Sequence, residues 1–184
     1  MQRVFDHHRI WRLDGGVFEH AAELIAAHTR QPDTVVGIAR GGVALARRLG
    51  ELHGAPVAEV TVRHNHSDAV YLPATGRVDL PDPSVLDGID DGGHLLVVDD
   101  ICGTGATLTA VLPWLVRYLK PSELRTAVLC RSEAAAFTPD VWVWNTRDWV
   151  IFPWDEPITQ ATQALPWPER VVTGPAPVRN GESS

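Results

Sequence analysis

The stretch Leu95–Leu108, LLVVDDICGTGATL, decides the fold class of this chain. Its first four residues are branched and apolar, which predicts a strand buried on both faces, as in a parallel sheet covered by helices. Two carboxylates, Asp99 and Asp100, stand at the carboxyl end of this strand. The small and hydroxyl residues of 103–107 then open a helix, and such a junction receives a phosphate on converging backbone amides. A phosphate site with two acids at its edge indicates a phosphorylated sugar as the ligand.

Two other glycine-rich nucleotide motifs fit this stretch poorly. A P-loop requires Gly-Lys-Ser or Gly-Lys-Thr, and the single lysine of the chain is Lys120, well outside the loop. A dinucleotide fingerprint has its third glycine where this chain has Leu108, and its acid comes after the glycines rather than before them. An NAD-dependent oxidoreductase therefore fits the fold class but not the motif.

The segment Val97–Thr107, VVDDICGTGAT, resembles the signature of the type I phosphoribosyltransferases: a hydrophobic strand, two acids and a short Thr/Gly loop. The likeness runs from about Thr34 to Glu156 and is closest in outline to the purine, xanthine-guanine-like branch. It implies an enzyme of nucleotide metabolism that moves the 5-phosphoribosyl group from 5-phosphoribosyl 1-pyrophosphate (PRPP) to a small nitrogen acceptor. The acceptor is a nucleobase or a related heterocycle or amine, and pyrophosphate is released.

The resemblance also implies roles for the acids and the loop. Asp99 and Asp100 are expected to be catalytic, to hold the ribose hydroxyls and to bind hydrated Mg²⁺, the cofactor, which prefers oxygen ligands and keeps several waters. Glycosyl transfer develops positive charge on the sugar, so anionic groups are needed near the ring and cationic groups near the leaving pyrophosphate. The residues implied to hold the 5-phosphate of PRPP are Gly103, Thr104, Gly105, Ala106 and Thr107.

A second segment, Thr34–Gly54, predicts a buried strand, a glycine-rich turn with Arg40, and an amphipathic helix ended by Gly54. By itself it is also compatible with an ordinary turn and a solvated arginine. The resemblance implies that this turn binds pyrophosphate, with Arg40 as a catalytic residue and a non-proline cis peptide near Ala39–Arg40. The pyrophosphate-binding residues implied are Ala39, Arg40, Gly41, Gly42 and Arg63.

Strand and helix signals alternate along the chain, which predicts a single doubly wound α/β domain with a central, mostly parallel sheet. Right-handed crossovers then bring both anion loops to the carboxyl edge of the sheet, facing one crevice. We expect the domain to span 1–172 and the proline-, glycine- and serine-rich tail 173–184 to be disordered. Besides the helix after Arg40, helices are predicted at about 17–29 and 106–119, and strands at 34–39, 57–62, 95–99, 124–130, 141–144 and 149–152.

A long polar insertion, about 63–93, is predicted to form a flap or hood over the site. By the resemblance, Arg63, His64, His66 or Tyr71 reaches the pyrophosphate or the acceptor when the flap closes. Metal binding by His64 and His66 is a competing interpretation, although two histidines with a nearby Asp68 make a poor site. Simple solvated loop residues are a further alternative.

The segment of about 131–157 contains alternating tryptophans, which are commonly core aromatics in a small domain. The resemblance instead makes it the acceptor pocket, because purine-type members have a similar stretch that ends in Pro-Trp-acid, here Pro153–Asp155. The acceptor-binding residues implied are Arg131, Trp149, Val150, Ile151 and Asp155.

Gly103 departs from the 6-oxopurine enzymes, which have an aspartate at this position to handle the proton on the base nitrogen. A glycine has no group for acid–base work. The reaction class is unaffected, but the resemblance no longer implies hypoxanthine or guanine as the acceptor. The acids of the acceptor side, Glu133, Asp148, Asp155 and Glu156, suit a cationic or amine-bearing acceptor.

Composition restricts the function classes further. The formal net charge of −7 without a basic cluster argues against nucleic acid as a partner. The two cysteines form neither a disulfide framework nor a metal-binding spacing, and no signal peptide or membrane-length apolar run is visible, so we expect a cytoplasmic protein without a membrane partner. We also expect a homodimer. The alternative function is a non-catalytic regulator of the same fold that senses PRPP or a nucleotide.

Overall fold

The structure is a computed structural model, and it describes residues 9–63 and 78–175. Its elements in chain order are β1 (Ile10–Arg12), α1 (Gly15–His28), β2 (Thr34–Ala39), α2 (Val43–His53), β3 (Val57–Thr61), a 3₁₀ turn (Pro83–Leu86), β4 (His94–Cys102), α3 (Ala106–Leu119), β5 (Glu123–Ser132), β6 (Val141–Thr146), β7 (Trp149–Ile151), β8 (Gln163–Ala164) and β9 (Val172–Thr173).

The main sheet has six strands in the order β3-β2-β4-β5-β6-β9. All neighbours are parallel except β6 and β9. Strand β4 lies in the middle, where Val97 is opposite Val36 of β2 and Thr126 of β5. The predicted α/β domain with a mostly parallel central sheet is confirmed.

Helices cover both faces of this sheet, which makes it doubly wound. Leu96 and Val98 of β4 pack into the core that α1 and α2 form on one face. Leu95 and Val97 pack into the core of α3 on the other face. Because successive side chains of a strand point to opposite faces, this alternation explains why four apolar residues in a row are buried here.

The strand predicted at 149–152 does not belong to the main sheet. β7 leaves the main sheet and pairs in parallel with β1, which in turn pairs with β8 in a second, three-stranded sheet. The predicted tail also begins too early, since Thr173 pairs with Val141 and the Gly174 amide donates to the Asp140 carbonyl at 2.8 Å. Residues 176–184 of that tail lie outside the described residues.

The predicted flap is only partly described, because residues 64–77 lie outside the described part of the chain. At its borders Arg63 and Asp79 pair through two backbone hydrogen bonds of 3.3 and 3.0 Å. The second half packs against the domain, with Leu86 only 5% exposed in the α3 core. None of the helices in the described ranges is long and apolar enough to cross a bilayer.

Candidate active site

Both predicted acids lie at the carboxyl end of β4. Asp99 is buried and accepts a hydrogen bond from the backbone N–H of Asp100 at 3.0 Å. Burial and the neighbouring Asp100 charge raise the pKa of Asp99 well above its usual value. Burial also raises the pKa of Asp100 to about 6, and the charge of Asp155 adds to this. Among the described residues, no basic side chain forms an ion pair with either acid, so this edge concentrates negative charge.

The turn between β2 and α2 lies directly against these acids. A Cβ atom on Gly41 would fall 2.2 Å from Oδ2 of Asp100, and one on Gly42 would fall 2.4 Å from the carbonyl oxygen of Val98. Only glycine permits such an approach. The Ala39–Arg40 peptide bond is cis, as the resemblance implies, and Arg40 is exposed next to the turn. The structure thus brings the predicted pyrophosphate turn and the acid pair together.

The predicted phosphate loop joins β4 to the first turn of α3. Gly105 has φ +87°, and its Cβ atom would lie 2.4 Å from Cβ of Phe137, so both conformation and space require glycine there. The Thr104 hydroxyl accepts a hydrogen bond from the Ala106 amide at 3.3 Å. Because the first amides of a helix lack intrahelical partners, the start of α3 presents N–H donors at the carboxyl edge of the sheet. All five predicted phosphate residues belong to this junction.

Arg131 lies in β5, opposite Cys102. Its guanidinium donates to the carbonyl oxygens of Phe137 at 3.3 Å and Ala135 at 3.1 Å, and to the Thr138 hydroxyl at 3.4 Å. These bonds fix the 133–138 loop, which packs on Gly105 of the phosphate loop. Sequence reasoning missed this loop, because no local pattern shows which distant residues touch a glycine. Contact of Arg131 with an acceptor stays a prediction.

The remaining acceptor residues fall in and after β7. Val150 is buried in the α1 and α2 core, whereas Trp149 and Ile151 are partly exposed. Asp155 closes a turn, since its Oδ2 accepts from the Phe152 amide at 2.8 Å and its own amide donates to the Phe152 carbonyl at 3.0 Å. The charge of Asp155 contributes to the raised pKa of Asp100. Arg63 is exposed beyond β3, at the edge of the sheet.

The acid pair fits the Mg²⁺ that the resemblance implies. Carboxylate oxygens are the ligands that Mg²⁺ prefers, and it is commonly held by one or two carboxylates together with waters and substrate phosphates. The raised pKa values of Asp99 and Asp100 reflect buried negative charge that a divalent cation would neutralise. The described residues contain no cluster of three or more histidine, cysteine or acidic side chains arranged to hold a metal, so substrate oxygens would have to complete the coordination.

Comparison with known proteins agrees with this geometry. Residues 14–161 match the phosphoribosyl transferase domain family, and the chain belongs to that family. This confirms the resemblance of the VVDDICGTGAT segment and the fold class.

Comparison with individual proteins agrees with this family assignment. The bifunctional protein PyrR of Syntrophobacter fumaroxidans is 33% identical over 104 residues, which are 52% of this chain and 53% of that protein, so the chain spans about half of its length. The xanthine-guanine phosphoribosyltransferase of a Ruegeria species is 28% identical over 79% of this chain and 76% of its own. The purine phosphoribosyltransferase structure from Pyrococcus horikoshii superposes with a TM-score of 0.70 at 26% identity, covering 84% of this chain and 99% of that chain.

Proposed function

We propose that this chain is a Mg²⁺-dependent phosphoribosyltransferase that transfers the 5-phosphoribosyl group of PRPP to a nucleobase or a related nitrogen acceptor and releases pyrophosphate. One observation carries the proposal: Asp100 lies on Gly41, so close that a Cβ atom there would be 2.2 Å from its carboxylate oxygen. The acids, the glycine turn with Arg40 and the start of α3 are the three parts needed for the ribose, the pyrophosphate and the 5-phosphate of one ligand.

The charges of these parts suit glycosyl transfer. As the bond to pyrophosphate breaks, positive charge develops on the ribose ring, and the carboxylates of Asp99 and Asp100 stabilise it. Arg40 and the amides of Gly41 and Gly42 bind the departing pyrophosphate. The amides and hydroxyls of 103–107 hold the 5-phosphate and so fix the sugar between acids and turn.

The acid pair would hold Mg²⁺ together with ligand oxygens. When bound, the cation supplies Lewis-acid neutralisation of the pyrophosphate charge. Asp99 and Asp100 would also orient the ribose hydroxyls, because both residues adjoin the glycine turn, Asp100 at Gly41 and Asp99 at Gly42. The substrates proposed are therefore PRPP and a small acceptor. The homodimer and the cytoplasmic location remain predictions of the sequence.

Ligand-induced thermal stabilisation tests the proposal. PRPP with Mg²⁺ at one hundred times its dissociation constant is expected to add about 2.7 kcal/mol to the free energy of unfolding, whereas NAD with Mg²⁺ adds nothing. Equal shifts with both ligands, or none with PRPP, contradict the assignment.

Pyrophosphate release from PRPP, measured against a panel of purines, pyrimidines and amines, then tests the transfer itself. At least one acceptor is expected to give release that requires Mg²⁺. Binding of PRPP without release by any acceptor would favour the non-catalytic regulator instead.

A further inference from the structure

The Arg131 guanidinium is bonded to a loop rather than to an acid. It donates to the carbonyl oxygens of Phe137 and Ala135 at 3.3 and 3.1 Å. A third bond of 3.4 Å reaches the Thr138 hydroxyl, and the Trp142 ring centroid lies 5.6 Å from Cζ of the arginine. No carboxylate in the described part of the chain forms an ion pair with Arg131. The cation therefore holds the loop that follows β5.

This loop contacts the backbone that joins β4 to α3. The Ala136 amide donates to the Thr104 carbonyl oxygen at 3.1 Å. A Cβ atom on Gly105 would lie 2.4 Å from Cβ of Phe137 and 2.9 Å from its backbone nitrogen, so the two backbones are in close contact. The Phe137 carbonyl, already bonded to the guanidinium, also accepts from the Cys102 thiol at 3.8 Å. The position of this loop therefore fixes the position of the predicted phosphate loop.

We propose that Arg131 is a positioning residue for the 5-phosphate: through the 133–138 loop it fixes the backbone of Thr104 and Gly105, and with it the first amides of α3. The inference rests on the proposed function, because it takes the start of α3 as the 5-phosphate site. Glycine at φ +87° is conformationally permissive, so the neighbouring loop must hold Gly105 in one conformation.

Arginine suits this task better than lysine. Its planar fork binds several oxygens in a fixed geometry, whereas the lysine ammonium is a compact point charge on a flexible stem. Nη1 of Arg131 takes no part in the three bonds to the loop. The positioning role can therefore be separated by experiment from the predicted contact with an acceptor.

Hydrogen exchange of the Ala136 amide, followed by magnetic resonance, tests the mechanical link without any ligand. Arg131→Lys keeps a positive charge but removes the fork. Loss of these charged donors is expected to make the Ala136 amide exchange about 10-fold faster relative to the amide of buried Val128. The matched control Arg125→Lys changes a partly buried arginine of the same strand, bonded to two acids at the opposite edge, and should leave that ratio unchanged. An unchanged ratio in Arg131→Lys overturns the proposal.

Binding of the two halves of PRPP separates a positioning role from a general loss of structure. Ribose 5-phosphate carries the group assigned to the start of α3, whereas pyrophosphate with Mg²⁺ is assigned to the turn at Gly41 and Gly42. Arg131→Lys is expected to weaken the affinity for ribose 5-phosphate by about 10-fold and to leave the affinity for pyrophosphate unchanged, as calorimetry can measure. Equal weakening of both contradicts the proposal. A raised KM for the acceptor with unchanged ribose 5-phosphate affinity would make Arg131 an acceptor-binding residue and overturn it.

A second variant breaks the same link without changing Arg131. Ala136 is exposed, and Ala136→Pro removes the amide that donates to Thr104, so ribose 5-phosphate affinity should fall here as well. The double variant with Arg131→Lys should bind little more weakly than either single variant, because both act through one link. Additive losses, or unchanged affinity in Ala136→Pro, contradict the proposal even if Arg131→Lys fails to fold. If the wild-type protein binds neither PRPP nor ribose 5-phosphate, the proposed function fails, and hydrogen exchange still decides whether Arg131 holds the phosphate loop.

Discussion

Two partly buried acidic sites at opposite edges of the main sheet are built in contrasting ways. Asp140, at the amino edge, accepts hydrogen bonds from the Arg125 guanidinium at 3.1 Å and from the Thr126 amide and hydroxyl at 2.8 and 2.7 Å. Asp99 and Asp100, at the carboxyl edge, have no basic partner among the described residues and repel each other. The same residue type is neutralised at one edge and left uncompensated at the other.

This difference distinguishes a structural acid from the two acids that we propose to be functional. Buried charges are normally paired, because an uncompensated carboxylate in a protein interior is costly. The bonds of Asp140 join the start of β6 to β5 and need no ligand. The cost at the acid pair is tolerated where a ligand or cation supplies the missing positive charge, which is typical of active sites.

The largest expected effect comes from removing charge at the carboxyl edge. Replacing Asp99 and Asp100 with asparagine preserves shape but removes the charge that stabilises the developing cation, so turnover should fall by about 10³-fold or more. Pyrophosphate release measures the rate, and circular dichroism checks the fold. Near wild-type turnover in this variant would mean that the acids are structural.

The second-largest expected effect concerns the choice of acceptor, because the carboxyl edge has no carboxylate at position 103. Gly103 stands where the 6-oxopurine enzymes have a proton-handling aspartate, and general acid–base assistance is worth about 10²–10⁴ in rate. We therefore expect hypoxanthine, guanine and xanthine to be slower acceptors than another heterocycle or amine by at least about 10²-fold. Competition between acceptors measures this ratio, with Gly103→Asp as the converse variant. Efficient use of guanine or xanthine by the unmodified protein contradicts it.

A smaller effect, on stability alone, is expected at the amino edge. Replacing Asp140 with alanine removes the partner of Arg125 and Thr126 and should lower the free energy of unfolding by about 1.5–3 kcal/mol. PRPP affinity and turnover should change little, since Asp140 lies at the opposite edge from the acid pair. Denaturant unfolding and pyrophosphate release, measured on the same preparation, test both statements. A loss of turnover without a loss of stability would reverse the comparison.

The sequence predicts the parts of this molecule that depend on local pattern. Local sequence pattern identifies the apolar run of β4, the two acids after it and the glycines at 41, 42 and 105. Burial on both faces of the sheet and close backbone approach each restrict the type of residue that a position can hold. The two- and three-residue strands β1, β8 and β9 are too short to show a periodicity. The sheet that β7 joins could not be predicted, since pairing with β1 depends on residues far away in the chain.

The same limit applies within the site. The contacts of the Arg131 guanidinium and of the Trp154 ring with Phe18 are set by packing between different segments of the chain. A Pro-Trp-acid motif indicates an acceptor segment by resemblance, but it does not indicate which atom the tryptophan faces.

The two edges should also respond to pH in opposite directions. The pKa of Asp100 is raised from 3.8 to about 6, so the folded state binds more protons than the unfolded state in that window, and the free energy of unfolding falls as pH rises through it. The raised pKa of Asp99 adds to this fall.

At the amino edge, burial and the charge of His94 lower the pKa of His53, so the stability contributed there is present above pH 6.5 and is lost as pH falls below it. Denaturant unfolding between pH 4 and 8 in the presence of a chelator measures both effects. Relative to wild type, Asp100→Asn should gain stability as pH rises from about 4 to 7, whereas His53→Gln should gain it as pH falls below 6.5. An Asp100→Asn offset that does not vary with pH would contradict the uncompensated charge at the carboxyl edge, and a constant His53→Gln offset would contradict the lowered pKa of His53.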